Sequence, residues 1–498
     1  MVEAGVEALT AVLVLERLLF VVLGVGVGLT VGLLPGMSGT VGMAILLPFI
    51  FGMDPIAGIG LLMGMAAVIH TSDTFPSVLL GIPGSAGSQA TIMDGYPLAQ
   101  QGEAARALGA AFFVSMVGGV IGGLVLFGTL SIARPLVLAL GSPELFMLTL
   151  LGLSMVGILS RAAPLAGLVS GFAGLGLGTV GVAPAVPTYR FTFDALYLFD
   201  GIPLPVLALG LFALPEMLDL LTRNEAIAKT TALGGSRLAG VKDAITHKWL
   251  VLRSAILGNV LGMIPGVGGS VVDWLIYGLT QQTSKVKDRF GKGDIRGVIG
   301  PESANNAKEG GALVPTLLFG IPGSGTTAML LGGLILLGIQ AGPRMATENL
   351  DVTLAIVWTL VIANVLGAAA CFLLSGWVAR VSLIPGRILV PFLLVLLTVA
   401  AYQSSRHWGD ILAFLVIGIL GWFMKQVGWP RPPLLIGFVL AISAERYLHI
   451  SMSRYGFEWL TFPLVIGIGA LITAAVVAAV VQGFRKDKAE ITGPDSGE

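Results

Sequence analysis

Apolar stretches of about 18 residues or more, each long enough to cross a hydrocarbon slab as a helix, recur along the chain from end to end. In lipid every peptide N–H and C=O must find its partner inside the protein, so a chain with many such stretches becomes a polytopic helical membrane protein. Composition agrees: 55% of the 498 residues are hydrophobic, 11% are charged where a soluble domain carries about 25%, and the mean hydropathy is +0.92. A soluble enzyme is excluded.

Glycine is unusually frequent, at 70 residues, which suits helices that approach closely and are interrupted in places. The 28 basic and 28 acidic residues cancel, so net charge gives no reason to expect a nucleic-acid partner. Cys371 is the single cysteine and no disulfide framework is possible. The first residues, MVEAGVEALT, carry acids where a signal peptide carries a basic region, so Met1 onward is expected to be mature chain.

Basic residues concentrate between Arg223 and Arg253, between Lys285 and Arg296, and at Arg485, Lys486 and Lys488, which the positive-inside rule places in the cytoplasm. The apolar segment between the first two clusters has room for one crossing although both its ends belong on one side, so it is expected to dip in and return. Its tip falls at Pro265-Gly266, followed by Gly268 and Gly269, since proline lacks a donor and glycine accepts positive φ. The phrase has a precedent: Gly32-Leu-Leu-Pro35-Gly36-Met-Ser38-Gly39-Thr40 matches Gly262-Met-Ile-Pro265-Gly266-Val-Gly-Gly269-Ser270. A second pair follows in the same order, Pro76 through Gly81-Ile82-Pro83-Gly84-Ser85 against Pro315 through Gly320-Ile321-Pro322-Gly323-Ser324.

The expected organisation is therefore a first membrane repeat at 1–222, a polar cytoplasmic linker at 223–248, a second repeat at 249–484 and a polar cytoplasmic tail at 485–498. The first repeat's hairpin, at about 18–52, lacks a matching basic flank, which points to entry from the opposite face and an inverted pair. The fold class is an all-α polytopic membrane protein with discontinuous helices and re-entrant hairpins. About 10 to 12 spanning helices are expected.

A helix broken at membrane depth exposes peptide groups that only protein or a polar cavity can satisfy. After Gly84 the chain restarts with Ser85, Ser88 and Thr91, and after Gly323 with Ser324, Thr326 and Thr327; Ser38 with Thr40, and Ser270 beside Gly268 and Gly269, occupy the other two tips. A restarted helix offers N–H groups and a positive dipole end to a carboxylate, while unwound carbonyls suit Na+ or a proton-carrying water. The bland alternative is a set of kinks whose hydroxyls bond back to their own helix.

The polar run Pro301-Glu302-Ser303-Ala-Asn305-Asn306-Ala-Lys308-Glu309-Gly-Gly precedes the second GIPGS, and its amides can both coordinate a cation and donate to a carboxylate. A solvated loop at a helix mouth is the alternative. In the first half the matching stretch holds His70 and Asp73; Asp73 is either an ion or proton ligand or the N-cap of a helix starting at Phe75, and Asp273 is weighed the same way. His70, Asp73 and Ser85 together suggest a hydrolase, but no nucleophile elbow or HExxH accompanies them, and phosphate-binding fingerprints are missing too, so no enzyme is expected and an ion gradient is the energy source.

These segments, with Asp94-Gly95-Tyr96-Pro97-Leu98-Ala99, Arg106-Ala-Leu-Gly109, Arg190-Phe-Thr-Phe193 and Asp200-Gly201-Ile202, in this order and over nearly the whole chain, resemble the large permease subunit of the tripartite tricarboxylate transporters, the TctA-like family. The resemblance implies a multi-pass protein of a prokaryotic inner membrane. It implies import of di- or tricarboxylates on a Na+ or H+ gradient, beside a small four-helix membrane subunit and an extracytoplasmic solute-binding protein.

The family's substrate and ion region carries over to Pro35, Gly36, Ser38, Gly39, Gly84, Ser85, Gly266, Gly269, Asn305, Asn306, Gly323, Ser324 and Thr327, with Na+ at Ser38, Asn305 and Asn306. Thr40, Asp73, Ser88, Ser270 and Thr326 join them from the reading of the tips. The stretch from His70 to Ala90 departs from the family's pattern. Carboxylates are expected to be held by helix ends and hydroxyls, with Arg or Lys needed less at that depth. A channel, a transporter of another small solute that needs no partner, and a scaffold without transport are the other classes in view.

Overall fold

Unbroken apolar segments become helices here because each internal peptide group is then satisfied within its own segment. The computed structural model describes residues 1–34, 37–158, 164–184, 186–222, 234–381 and 386–491, and nearly all of them are helical. Among the described residues six helices are long and apolar enough to cross a membrane: Leu15–Leu33, Pro55–Leu80, Ala104–Leu138, Leu350–Gly376, Trp408–Gln426 and Pro432–Tyr455. Shorter apolar helices include Gly39–Ile50, Gly325–Leu336 and Pro463–Val477. The protein is an all-α membrane protein.

Two compact units are formed, each drawing on both halves of the chain: Met1–Val137 with Pro203–Ile419, and Leu138–Ile202 with Leu420–Glu498. In the second unit the helices Ser142–Ile158 and Pro164–Leu177 pack with Pro432–Tyr455, where Gly174 and Gly437 allow backbone to touch backbone. A short antiparallel ribbon, Gly181–Val182 with Tyr189–Arg190, is the strand structure among the described residues. Arg190 holds it down by a two-pronged bond to Glu445 at 3.0 and 2.8 Å.

In the first unit the helices that build the site are α1 (Leu15–Leu33), α2 (Gly39–Leu46), α3 (Pro55–Ser72), α4 (Thr74–Leu80), α5 (Thr91–Gln100), α6 (Ala104–Leu138), α7 (Arg237–Thr246), α8 (Lys248–Gly262), α9 (Gly269–Thr283), α10 (Arg296–Phe319), α11 (Gly325–Leu336) and α12 (Leu350–Val381). Lipid supplies no hydrophobic force between helices, so close packing has to hold them together. Gly24, Gly28 and Gly32 form one stripe of α1, and a methyl added at any of them would strike the α3 backbone at Leu61, Met65 or Ile69. The second half uses the same device: Gly258 and Gly262 of α8 lie on the α10 backbone at Ala304 and Lys308. From the other side Gly118 and Gly122 of α6 lie on Ser303 and Ala307.

Gripped in this way, α10 is buried at every residue from Gly297 to Leu318. This corrects one expectation left open above: the polar run 301–311 is the interior of a buried helix, not a loop at its mouth. The linker also has structure in part. Residues 223–233 lie outside the described ones, but α7 packs on α6, with Gly109 against Arg237, Gly240 against Arg106, and Arg106 Nε bonded to Asp243 at 2.5 Å.

Candidate functional site

The three proline-glycine phrases among the described residues, at Pro83, Pro265 and Pro322, each fall between helices. α4 stops at Leu80 and α10 at Phe319, and in both cases the next residue, Gly81 (φ 66°) or Gly320 (φ 68°), turns into the left-handed region that a side chain would resist. Four residues later the chain restarts through a capping box. Ser85 Oγ accepts from Gly87 N at 3.1 Å while Ser85 N donates to Ser88 Oγ at 3.3 Å. Ser324 Oγ accepts from Thr327 N at 3.2 Å while Ser324 N donates to Thr327 Oγ1 at 2.9 Å.

Between α8 and α9, Gly266 (φ 86°) forms the turn and donates its N–H to Gly323 O at 3.0 Å. Between α1 and α2, Pro35 and Gly36 lie outside the described residues. Ser38 is the N-cap of α2 and makes no side-chain capping bond.

The tips meet crosswise. Gly39 lies on Thr326, and Gly325 on Thr40: a methyl at either glycine would come within 2.8 or 2.5 Å of the opposing hydroxyl. On the other side Gly269 lies on Gly87 and on the Lys308 chain, at 3.2 and 3.0 Å from a built methyl. Between them is a cavity of about 150 Å3. Of the residues singled out from sequence, Ser38, Gly39, Thr40, Ser85, Gly269, Gly323, Ser324 and Thr326 line it.

The remaining described ones are not in the lining. Gly84 lies against the Asp73 backbone, and the hydroxyls of Ser88 and Thr327 are committed to the capping boxes. The Asn306 amide donates to Thr71 and Asn364, both at 2.8 Å, joining α10 to α3 and α12. Ser270 follows Gly269 in the first turn of α9, its side chain outside the described residues. Asn305 is fully buried beside Gly87, and neither its amide nitrogen nor its oxygen has a partner among the described residues.

Three charged or titratable side chains that the sequence reading placed lower also line the cavity: His70, Lys308 and Glu309. His70 Nδ1 lies 3.3 Å from Asp73 Oδ2 and its Nε2 3.2 Å from Glu309 Oε1; Lys308 pairs with Glu309, and the Ser85 hydroxyl donates to Asp73. Asp73 stands at the N-cap of α4, which begins at Thr74, and makes no side-chain capping bond, so the cap reading is corrected: its carboxylate turns to His70 and Ser85. Asp273 Oδ2 accepts from Ala90 N at 2.5 Å, which fixes α9 to the turn ahead of α5. Behind them Glu302 accepts from the hydroxyls of Thr91 (2.7 Å), Thr74 (3.1 Å) and Ser115 (3.2 Å).

His70 and Glu309 stand at equal distances ahead of Pro76 and Pro315, so they are counterparts in the two matching phrases. That correspondence was the available signal for a contact between them.

In the first turn of α5, Asp94 Oδ1 accepts three loop N–H groups, of Gly291 and Gly293 at 2.9 Å and Asp294 at 2.8 Å, and its Oδ2 accepts from Tyr277 at 2.9 Å. Asp294, the residue before Ile295 and α10, receives Arg296 Nε at 2.9 Å and the Arg296 backbone N–H at 3.0 Å. Burial works against its charge, but the bonds from Arg296 outweigh that and hold its carboxyl below the usual carboxylate range.

Helix starts and a lysine converge on one small cavity inside an all-α membrane protein, an arrangement fit to receive an anion. The family model described as the tripartite tricarboxylate transporter TctA family matches residues 18–436. The chain belongs to that family, which is one of transporters. It is 32% identical over 486 residues, 94% of each chain, to an uncharacterized 52.8 kDa protein in the TAR-I ttuC' 3' region of Agrobacterium vitis. It is also 32% identical over 237 residues, 47% of this chain and 98% of the other, to an uncharacterized protein in the TAR-II ttuC' 3' region of the same organism. No solved structure matches the chain.

Proposed function

We propose that the protein is the permease of a secondary transporter that imports di- and tricarboxylates across a bacterial inner membrane on a Na+ or H+ gradient. It works with a small membrane subunit and an extracytoplasmic solute-binding protein. The observation that carries the reading is the convergence of the α2, α9 and α11 starts, with the Ser85 turn, on one cavity that also receives Lys308. Helix starts present N–H groups and partial positive charge to an anion, and here they come from both halves of the chain.

The halves act as inverted repeats of about five or six crossings each, at 1–222 and 249–484. The crosswise meeting of the tips supports this: a two-fold operation that exchanges the α1–α2 tip with the α8–α9 tip, and the Ser85 turn with the Ser324 turn, turns one observed contact pair into the other. The contact between the counterparts His70 and Glu309 supports it too, since equivalent residues can touch only near such an axis.

Ser38, Thr40, Ser85, Ser324 and Thr326 hold the solute in this reading. Asn305 serves the coupling ion or the solute's own carboxylate, and Asp73 belongs to the ion side.

The test is thermal unfolding of the purified full-length protein with citrate or succinate, with and without Na+. A ligand at a hundred times its Kd adds about 2.7 kcal/mol to the folded state. The wild type should gain stability from at least one of these anions, and Ser324→Ala should lose most of the gain. Equal response of both proteins would refute the assigned site; no response of the wild type to any di- or tricarboxylate would refute the substrate class.

A further inference from the structure

We infer that the coupling ion of this chain is a proton, and that His70, clasped between Asp73 and Glu309 at the cavity lining, carries it. This deepens the transporter reading and rests on it. A neutral imidazole has one N–H and can donate to one acceptor; the imidazolium has two. His70 faces a carboxylate at each nitrogen, Asp73 Oδ2 at Nδ1 (3.3 Å) and Glu309 Oε1 at Nε2 (3.2 Å). Nδ1 also lies 3.4 Å from Ser85 Oγ, but that hydroxyl is given to Asp73, so both carboxylate contacts are hydrogen bonds only when the ring is protonated.

The ring is also within reach of a proton donor, because it lines the cavity and its side chain keeps 12% of its surface.

The charge count explains why a proton and a carboxylate would travel together. Asp73, behind the ring, and Glu309 outweigh Lys308 by one negative charge, so the His70 cluster repels an entering anion while the ring is neutral. One proton on His70 brings these four groups to balance. Anion binding then favours the protonated ring, and protonation favours anion binding by the same free energy.

Other titratable groups face this cluster. Glu302 of α10 and Asp273 of α9 lie near Asp73, and both are acidic. Lys308 is the only basic side chain facing the ring among the described residues. Of the other helices packed on α3, α2 and α11 carry no ionisable residue, and α1 and α12 carry charged residues only at their ends, α12 adding the thiol of Cys371. The helix Val2–Val12, which touches α3 more lightly, brings Glu3 and Glu7.

The ring spans the two halves: His70 belongs to α3 of the first and Glu309 to α10 of the second. Loss of the proton leaves the ring one N–H for two carboxylates, so the bond to Glu309 across that boundary can be given up, and this is the step at which the halves can part and release the solute inward.

The experiment measures succinate and citrate binding to the purified full-length protein between about pH 7.5 and pH 9, where both probes are almost fully ionised. It is run with and without Na+, and proton uptake is read by an indicator dye in weak buffer. The expectation is uptake of close to one proton per anion bound and a Kd that weakens about tenfold per pH unit through the upper part of the range. His70→Gln should bind with no proton uptake and a flat pH profile. Glu309→Gln, which leaves the ring in place but removes one carboxylate, should shift the wild-type profile to lower pH and serves if His70→Gln does not fold.

Binding without proton uptake, uptake undiminished in His70→Gln, or binding that requires Na+ and ignores pH would each overturn the proton assignment while leaving a carboxylate transporter standing. Failure of the wild type to bind either anion would remove the transporter reading itself, and this inference with it.

Discussion

Replacing Asn305 by leucine tests the site where function and stability should move in opposite directions. The amide is fully buried beside Gly87 and has no partner on either atom among the described residues. A buried donor or acceptor left unsatisfied costs about 1–3 kcal/mol, and leucine has the same branching with no polar atom. Asn305→Leu should therefore stabilise the ligand-free protein by roughly 1–3 kcal/mol, less whatever strain the bulkier methyls add against Gly87.

The same change removes a group that accepts and donates toward the cavity's turn. If the ion or solute takes one or two hydrogen bonds from it, at about 1.5 kcal/mol each, binding should weaken roughly 10- to 150-fold. The assay is a paired one: thermal unfolding without ligand, and the ligand-induced shift with citrate or succinate, on the same preparation. A variant that is less stable without ligand and binds normally would show that Asn305 is an ordinary packed amide, and the functional assignment would be wrong.

Two further outcomes follow from the geometry. Gly325→Ala should cost about 1–3 kcal/mol of stability and abolish the ligand-induced shift, because its methyl meets Thr40 Oγ1 within 2.5 Å; adding Thr40→Ala should restore most of the stability but not the shift, since that double variant reopens the contact and removes a hydroxyl that holds the solute. Asp294→Asn should lower stability by about 1–3 kcal/mol at neutral pH. The folded-state value of this carboxyl lies below its unfolded value, so its contribution is present above about pH 4 and disappears as the pH falls through the folded value; wild type and variant should converge in acid, as unfolding midpoints would read.

Much of the helix plan is written in the chain, because lipid forces every apolar segment to satisfy its own backbone: nearly all of the described residues are helical. The breaks are legible for an equally local reason, since proline and left-handed glycine end a helix in any surroundings. What the sequence hid was set by tertiary packing. The run from Pro301 to Gly311 has the composition of a loop, and only the glycines of α6 and α8 pressing on it explain a buried helix there.

Lys308 was discounted at the cavity because a lone charge at depth is expensive; its pairing with Glu309 lowers that expense, and adjacency in sequence does not by itself show that both point inward. The helix α7 is too charged to stand out from its linker, and its place on α6 depends on glycine contacts that have no periodic signature.

The polarity of α10 carries a consequence for how the protein is made. Glu302, Lys308 and Glu309 near the middle of a helix each oppose partition into lipid, by about 2.5–3.5 kcal/mol for a lysine or aspartate at the centre. On its own α10 has no reason to leave the translocon sideways. It must wait in the aqueous or protein-lined path until α6 and α8 are present to receive it, so membrane integration of the second half is a cooperative step whose timing depends on helices synthesised earlier.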